Sequence, residues 1–317
     1  MSDVVFACVG ENRPDWQPAI ENVVLSVREF GGTLSRCPFV VHLIDGADPA
    51  FVARLEALDA EVRVVETVDA RKRSANKLRM LELAGTREFG TLVMLDHDTV
   101  VVGDLADLVA GLGGAGSPRR PTIAALPAGV AALSTAEWRE IYSAAGLPLP
   151  DTSVVTVRTG ERTPPYYNSG VLLVPVEVCG SLHEHWARQL EWVLNGGAGS
   201  LTPAAVRKDQ VPFSLALASA GIAVHELPVN ANLSTTLAGV APEYQNQWGP
   251  PFVLHYHSRV DEQGFLRPAP WPAVNPWIDQ FNRRRAEVLG LPYGGIGRVS
   301  WRVRLAAARK ARTARRG

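Results

Sequence analysis

Short apolar runs alternate with segments of helical spacing through the first hundred residues. Apolar runs typical of strands cover 4–9, 39–44, 62–65 and 91–95, and helical spacing covers 19–30, 51–58 and 75–83. Strands separated by helices predict βαβ units and a mostly parallel sheet with right-handed crossovers. The runs are apolar on both faces, so helices are expected on both sides of that sheet.

Beyond residue 105 the alternation weakens. The glycine-rich stretch 111–121 predicts a loop, and the stretch 262–297, rich in proline and tryptophan, predicts an irregular closing region. Between them the pattern predicts further elements: a loop entering a buried strand over 166–176, helices over 182–194 and 210–220, and strands over 222–227 and 252–257.

The composition of the 317 residues is that of a soluble globular protein. Hydrophobic residues make up 46% and charged residues 20%, which excludes global disorder. No apolar run approaches the roughly 20 residues of a membrane span, and the N-terminus lacks the features of a secretory signal. Three cysteines in apolar surroundings favour reduced thiols and a cytoplasmic location. Arginine supplies 28 of the 32 basic residues, which is typical of high-GC bacterial coding.

The net charge of zero hides a basic C-terminal tail. Residues 298–317 carry eight cations and no acid, which leaves 24 basic and 32 acidic residues in 1–297. Such a tail is either a solvated extension or a peripheral attachment to the anionic inner face of a plasma membrane. The acidic body disfavours nucleic acid as a partner, because it would repel the phosphate backbone.

An acidic pair follows the fourth predicted strand. Asp96 and Asp98 come directly after the run 92–95, and residues i and i+2 of an extended chain point the same way. Ligands of open α/β sheets bind at the carboxyl ends of strands. Two adjacent carboxylates at such an edge favour a divalent cation, with a solvated turn as the alternative.

Further candidate residues lie later in the chain. His255 and His257 share one strand face, and a nitrogen ligand added to carboxylates suits Mn²⁺; either histidine could be the ligand. Asn168, Ser169 and a following glycine permit close approach of a ligand to the backbone, or form a plain turn. Further candidates are Lys77, which otherwise belongs to a solvated helix face, and the pair Asp209 and Gln210, which otherwise caps a helix.

Four segments in order resemble glycosyltransferase family 8, which includes glycogenin and bacterial lipopolysaccharide glycosyltransferases. The segments are KLRMLELAGTREFGTLVMLDHDTVVVGDL (77–105), YYNSGVLLV (166–174), KDQ (208–210) and VLHY (253–256). Two family features are absent. The Lys-Pro-Trp segment after the histidine is missing, and either Arg259 or Arg267 could supply its phosphate contact. The loop 11–16 lacks the tyrosine that follows the first strand.

The resemblance implies a GT-A, Rossmann-like α/β fold with a mostly parallel central sheet flanked by helices. Residues 1–297 would form one domain, with a nucleotide-binding half (1–105) and a sugar and acceptor half (106–297). It implies transfer of a hexose, with retention, from a nucleotide sugar such as a UDP-hexose to a saccharide or lipid-linked acceptor. Asp96, Asp98 and His255 would bind Mn²⁺ or Mg²⁺, and Asp209 and Gln210 would be catalytic. The donor contacts would also include Ala7, Val9, Lys77, His97, Asn168, Ser169, His257 and Arg259.

Two other functions fit part of the pattern. The segment 93–100 also resembles the first motif of haloacid-dehalogenase-like phosphatases, which would use Asp96 and Asp98. The missing Lys-Pro-Trp segment is compatible with a catalytically degenerate protein that binds sugar nucleotides.

Overall fold

The structure is a computed structural model that describes residues 4–115, 120–199, 210–237, 239–247 and 249–296, with the side chains of 112–115 left out. Among these residues no helix combines the length and the apolar character that a membrane span requires.

The first half of the chain follows the predicted alternation. Strands β1 to β4 pair in parallel in the order β3-β2-β1-β4, and their residues are mostly buried. The elements are β1 (Val4–Glu11), α1 (Gln17–Phe30), β2 (Phe39–Ile44), α2 (Pro49–Ala57), β3 (Ala60–Val65) and β4 (Thr91–Leu95). All four predicted strands and the first two predicted helices are therefore confirmed.

The predicted helix over 75–83 is interrupted. A 3₁₀ turn (Arg73–Lys77) leads into one α-helical turn, α3 (Leu78–Leu81), which is followed by another 3₁₀ turn (Glu82–Gly85). The side chain of Asn76 accepts hydrogen bonds from the Val68 amide (2.8 Å) and the Thr67 hydroxyl (3.2 Å). These bonds fasten the turn to the loop after β3, and the next residue, Lys77, is buried.

The second half of the chain adds strands to the central sheet and forms a second sheet. It contains β5 (Thr99–Val101), α4 (Ala106–Ala115), β6 (Thr122–Pro127), α5 (Thr135–Ala144), β7 (Val154–Val155), β8 (Arg162–Thr163), β9 (Tyr167–Pro175), α6 (Val176–Leu194), α7 (Gln210–Ala220), β10 (Ala223–Glu226), β11 (Leu233–Ser234), β12 (Val253–His255) and α8 (Asn275–Leu289).

The central sheet has seven strands in the order β10-β6-β9-β4-β1-β2-β3. Only β9 runs antiparallel to its neighbours, so the start of β9 lies at the edge where β4 ends. A second sheet, β11-β12-β5, begins just past that edge. Because β12 pairs antiparallel with β5, His255 lies opposite Thr99 and next to Asp98.

Three expectations for this half were wrong or incomplete. Helix α4 extends to residue 115, into the stretch expected to be a loop. Helix α5 went unpredicted, although Ser134 and Glu137 form a capping box at its start. The closing region contains the 15-residue helix α8, which has a proline in its first turn and ends at Gly290 in the left-handed conformation.

Buried apolar residues cover both faces of the central sheet. One cluster packs β1, β2 and β4 against α1 and α8, and another packs the opposite face against α6 and α7. Arg285 connects α8 to α1, since its guanidinium donates hydrogen bonds to Glu21 (2.9 Å) and Asn22 (2.6 Å) on α1. The packing places the carboxyl ends of β1, β2 and β4 at one rigid edge.

Candidate active site

A cavity of about 300 Å³ opens at the carboxyl edge of β1, β2 and β4. Its position follows from the sheet order, because parallel strands end at the same edge and β9 begins there. Its walls are formed by Val9, Gly10, Glu11, Trp16, Ile44, Arg73, Ser74, Asn76, Lys77, Asp96, His97, Asp98 and His255. Six of the predicted site residues therefore meet at this cavity: Val9, Lys77, Asp96, His97, Asp98 and His255.

Asp98 and His255 form an ion pair at the floor of this cavity. The His255 Nε2 atom lies 3.2 Å from the Asp98 Oδ1 atom, and both side chains are largely buried. Burial alone would raise the pKa of Asp98, but the His255 imidazole holds it well below its usual range. Burial alone would lower the pKa of His255, but the Asp98 carboxylate raises it above the usual value. A cation that binds here replaces the proton between the two groups.

His257 stacks on His255, with ring centroids 4.1 Å apart. Its Nε2 atom lies 2.7 Å from the Ser234 hydroxyl, and its backbone is left-handed (φ 52°), as is that of Ser258 (φ 58°). Burial and the neighbouring His255 lower the pKa of His257 to about 4, so the ring is neutral at pH 7. Two successive non-glycine residues in this conformation are a strained arrangement of the kind found at functional sites.

Asp98, His255 and His257 form a potential metal-binding cluster. One ligand atom from each lies within 4.8 Å of the others. Three ligand atoms at about 2.1 Å from one ion are roughly 3.0–3.6 Å apart, so side-chain movements of up to about 1 Å would bring these three atoms onto one ion. The donor set therefore fits a divalent cation.

Asp96 lies at the same edge but outside this cluster. The Lys77 Nζ atom is 2.7 Å from Asp96 Oδ1, and it also donates to the Ser169 hydroxyl (2.9 Å). Lys77 is 8% exposed, so the pair is shielded from solvent. The structure thus brings Lys77, Asp96 and Ser169 together beside the ligand cluster.

A chain of hydrogen bonds connects β9 to His255. The Gly170 amide donates to Asn168 Oδ1 (2.7 Å), and Asn232 Nδ2 donates to the same oxygen (3.0 Å). Asn232 then presents its Oδ1 atom to His255 Nδ1 at 3.1 Å. A Cβ atom on Gly170 would lie 2.7 Å from the His255 ring, so only glycine fits there.

This hydrogen-bond chain fixes the tautomer of His255. Asn168 Oδ1 accepts from a backbone amide, which determines that Asn232 donates to Asn168 and accepts from His255. His255 therefore carries a proton on Nδ1, and Nε2 faces Asp98. Asn232 was not predicted as a site residue, because no motif or spacing in the sequence signals it.

His97, between the two aspartates, stacks on Trp16 with ring centroids 4.2 Å apart and planes 13° from parallel. Burial lowers the pKa of His97. The Tyr256 hydroxyl donates to the His97 carbonyl (3.2 Å), and the Tyr256 amide donates to the Asp98 carbonyl (3.0 Å). The chain segment that carries His255 is thereby fastened to the segment that carries Asp98.

The remaining predicted donor contacts are less closely associated with the cavity. Val9 lines it, whereas Ala7 is fully buried inside β1 and does not. Arg259 donates to the Pro268 carbonyl (3.1 Å) and is not among the lining residues. Gln210 begins α7, and Asp209 lies outside the described residues.

Several cavity residues were not singled out from the sequence. Arg73 lies 3.1 Å from Glu11, and its side chain is more than half exposed. Ile44 at the end of β2 and Ser74 and Asn76 of the 3₁₀ turn also line the cavity. Arg73 adds a partly exposed positive charge to the lining of the cavity.

Residues 35–221, more than half of the chain, match the family model described as the Rhodobacterales glycosyltransferase domain. The chain belongs to this glycosyltransferase family. No curated protein matches it. The phosphatase alternative is therefore wrong, because residues 35–221 match a glycosyltransferase family.

Solved structures show the fold of this glycosyltransferase to be of the GT-A type. An active-site mutant of LgtC is 15% identical with a TM-score of 0.56, and covers 89% of this chain and 95% of its own. Galactosyltransferase LgtC in complex with donor and acceptor sugar analogs is 14% identical (TM-score 0.54; 91% and 97% covered). The glycosyltransferase GlyE in Streptococcus pneumoniae TIGR4 is 14% identical (TM-score 0.50; 93% and 66% covered). The predicted fold class is confirmed.

Proposed function

We propose that the protein transfers a hexose from a nucleotide sugar, with UDP as the nucleotide, to a saccharide or lipid-linked acceptor, and that it requires a divalent cation. The observation that carries this proposal is the Asp98, His255 and His257 cluster beside a cavity at the carboxyl edge of the sheet. The donor and acceptor sugar analogs bound by LgtC support the choice of ligand class.

The cavity suits a nucleoside diphosphate. Val9, Gly10 and Trp16 offer apolar and aromatic surface for a base, and Asp96 and Asp98 line the same cavity beside the cation cluster. Arg73 and Lys77 add cationic groups to this lining, and cationic side chains form strong hydrogen bonds with phosphate. We place the base against Trp16 and the diphosphate beside Asp98.

The bound cation would stabilise the negative charge that develops on the departing nucleoside diphosphate. Asp98 and His255 would hold it, with Asp96 the further ligand implied by the family resemblance. Lys77 carries a buried positive charge that adds to the electrostatic stabilisation of the leaving group. Because the Asp96 carboxylate and the Ser169 hydroxyl fix the ammonium of Lys77, little reorganisation is needed when charge develops.

The sugar would occupy the side of the site nearer β9 and α7. There Asn168, Ser169, Asp209 and Gln210 would contact its hydroxyls, and the anomeric carbon would become oxocarbenium-like, as in glycoside hydrolysis. We propose retention of configuration, in keeping with the family 8 resemblance. Residues 1–297 would act as one domain with nucleotide and sugar halves, and the tail 298–317, which lies outside the described residues, would attach the cytoplasmic enzyme to anionic lipid.

Thermal unfolding tests the proposal. The wild type, Asp98→Asn and the control Asp151→Asn, an exposed residue, would be unfolded with UDP, with Mn²⁺ and with both. A ligand at 100 times its dissociation constant adds about 2.7 kcal/mol, or about 5 °C for a chain of this size. We expect a shift that requires UDP and Mn²⁺ together and is lost only in Asp98→Asn.

Two results would contradict this proposal. If UDP raised the unfolding temperature without metal, donor binding would not require the cation. The absence of any shift with UDP or GDP, in protein that unfolds cooperatively, would favour the catalytically degenerate alternative.

A further inference from the structure

A buried hydroxyl group lies in the wall of the cavity at the carboxyl edge of the sheet. Ser74 lines this cavity, and its Oγ atom is buried and has no hydrogen-bond partner in the described part of the chain. Folded proteins satisfy most buried polar side-chain atoms, so an exception beside a binding cavity calls for an explanation. Serine Oγ rotates among three staggered positions about one bond, and an oxygen atom of a ligand in the cavity would give it an acceptor.

Ser74 belongs to the 3₁₀ turn Arg73–Lys77, which also carries the arginine and the lysine of the cavity lining. In a 3₁₀ helix, side chains three residues apart eclipse each other. Ser74 therefore lies on the same face as Lys77, about 6 Å from it along the axis, because each residue of such a helix advances by about 2.0 Å. The hydrogen bonds that Asn76 accepts from the loop after β3 hold this face in place.

The two ends of this turn meet different parts of the cavity. Lys77 contacts Asp96, with 2.7 Å between Nζ and Oδ1, at the end of β4. Arg73 contacts Glu11, with 3.1 Å between Nε and Oε1, at the end of β1. The turn thus spans the distance between the ends of these two neighbouring strands.

Glu11 connects Arg73 to the side of the cavity that we assign to the base. Its carboxylate also lies 3.9 Å from Arg13, whose guanidinium carbon is 5.8 Å from the centroid of the Trp16 ring. The Arg73 side chain is 62% exposed, so it can turn toward a ligand. Arg13 would then remain as a positive partner for Glu11.

The two arginines that the sequence offered for a phosphate contact are engaged elsewhere. Arg259 donates to the Pro268 carbonyl (3.1 Å), and Arg267 donates to the Val260 carbonyl (3.0 Å). Arg267 lines a neighbouring cavity of about 410 Å³, and neither arginine lines the cavity that contains Ser74. The phosphate contact expected of them is available from Arg73 instead.

We propose that Arg73 and Ser74 bind the phosphate that is attached to the nucleoside, and that Lys77 faces the terminal phosphate beside Asp96. Arg73 would bind through its guanidinium, whose planar donors match two phosphate oxygens, and Ser74 through its hydroxyl. The inference rests on the proposed function, which supplies a nucleoside diphosphate as the ligand. It deepens that function by assigning the residues that hold the first phosphate.

Isothermal titration of the full chain with UDP and with UMP, in the presence of Mn²⁺, tests this assignment. Arg73→Gln and Ser74→Ala should each weaken the binding of both nucleotides by about tenfold, since a hydrogen bond to a charged group contributes this much. Arg73→Lys keeps the charge without the paired donors, so its affinity should lie between those of Arg73→Gln and the wild type. Arg71→Gln is the matched control, because Arg71 lies two residues earlier, bonds to Asp69 and does not line the cavity.

Uridine distinguishes a phosphate contact from a general change in the cavity. Its affinity, measured by displacement of UDP, should be equal in the wild type, Arg73→Gln and Ser74→Ala. A matching loss for uridine, or a loss for UDP without one for UMP, would overturn the assignment to the first phosphate.

Unchanged UDP affinity in Arg73→Gln and Ser74→Ala would overturn this inference alone and leave the proposed function standing. A loss of UDP affinity in Arg267→Gln but not in Arg73→Gln would also overturn it, because Arg267 would then supply the contact. If the wild type bound neither UDP nor UMP, the proposed function would fail together with the inference.

Urea unfolding without nucleotide tests whether the Ser74 hydroxyl serves the ligand or the fold. The hydroxyl has no partner among the described residues, so Ser74→Ala should not lower the free energy of unfolding of the ligand-free protein. With UDP and Mn²⁺ present, the variant should gain less stability than the wild type, because it binds the nucleotide more weakly. A loss of stability in the ligand-free variant, with an unchanged gain on adding UDP, would show that the hydroxyl supports the fold and would contradict the phosphate contact.

Discussion

The substitution Asn232→Leu should weaken metal binding indirectly. Asn232 does not contact the ion itself but orients His255, which would bind it. Asn232 is 4% exposed and makes two hydrogen bonds, one to Asn168 (3.0 Å) and one to His255 Nδ1 (3.1 Å). Leucine fills a similar volume but can neither donate to Asn168 nor accept from His255, so the His255 ring loses the acceptor that fixes its tautomer. Loss of such an orienting group costs 10- to 100-fold in metal affinity, about 1.4–2.7 kcal/mol. The buried donor left without a partner destabilises the fold by about 1–3 kcal/mol.

Titration calorimetry with Co²⁺ and urea unfolding would separate the two effects. Asn230→Leu is the matched control, because Asn230 lies on the same 3₁₀ turn and bonds to the Pro250 carbonyl, away from the site. Asn232→Asp keeps an acceptor for His255 and should retain more metal affinity than Asn232→Leu. Equal Co²⁺ affinity in wild type and Asn232→Leu, or an equal loss in Asn230→Leu, would refute the orienting role.

Three further changes test the site and its support. Gly170→Ala should abolish Co²⁺ binding while leaving a folded protein, because the added Cβ would lie 2.7 Å from the His255 ring; unchanged calorimetric affinity would contradict this close packing. Arg285→Met should cost about 3–5 kcal/mol in urea unfolding by breaking a buried ion pair, whereas Arg283→Met, at an exposed pair, should leave stability nearly unchanged. Burial lowers the pKa of His42 to about 4, so the unfolded chain binds the extra proton between pH 6.5 and 4. The free energy of unfolding should therefore fall by about 3 kcal/mol as pH falls through that window, and His42→Phe should flatten the slope; equal slopes in the two proteins would contradict the assignment.

Strands β1, β2 and β4 were predictable because each is a short apolar run that is mostly buried, whereas the edge strand β3 is mostly half-buried or exposed and was predictable from its β-branched residues. The position of Asp96 and Asp98 at the cavity followed from the same pattern, since ligands meet the carboxyl ends of parallel strands. The direction of β9 was not predictable. An apolar strand covered on both faces has the same pattern in either direction, and only pairing with β4 and β6 shows that it is antiparallel.

The finer arrangement of the site depends on contacts that no local pattern encodes. Lys77 contacts Asp96 from a 3₁₀ turn that interrupts the predicted helix, and the turn is held by hydrogen bonds that the Asn76 side chain accepts. Asn232 meets His255 through the pairing of β11 with β12, two strands of three residues or fewer. Helix α8, by contrast, had readable signals in its early proline and in Gly290 at its end.

A crystal structure of the full chain with Mn²⁺ and UDP is the most direct test of donor binding at this site. Anomalous scattering would locate the ion independently of the surrounding atoms. We predict a single manganese peak within about 2.4 Å of Asp98 Oδ1 and His255 Nε2, with the UDP diphosphate bound to the same ion inside the cavity. Manganese elsewhere on the protein, or UDP bound away from Asp98 and Lys77, would contradict the assignment of this edge of the sheet as the donor site.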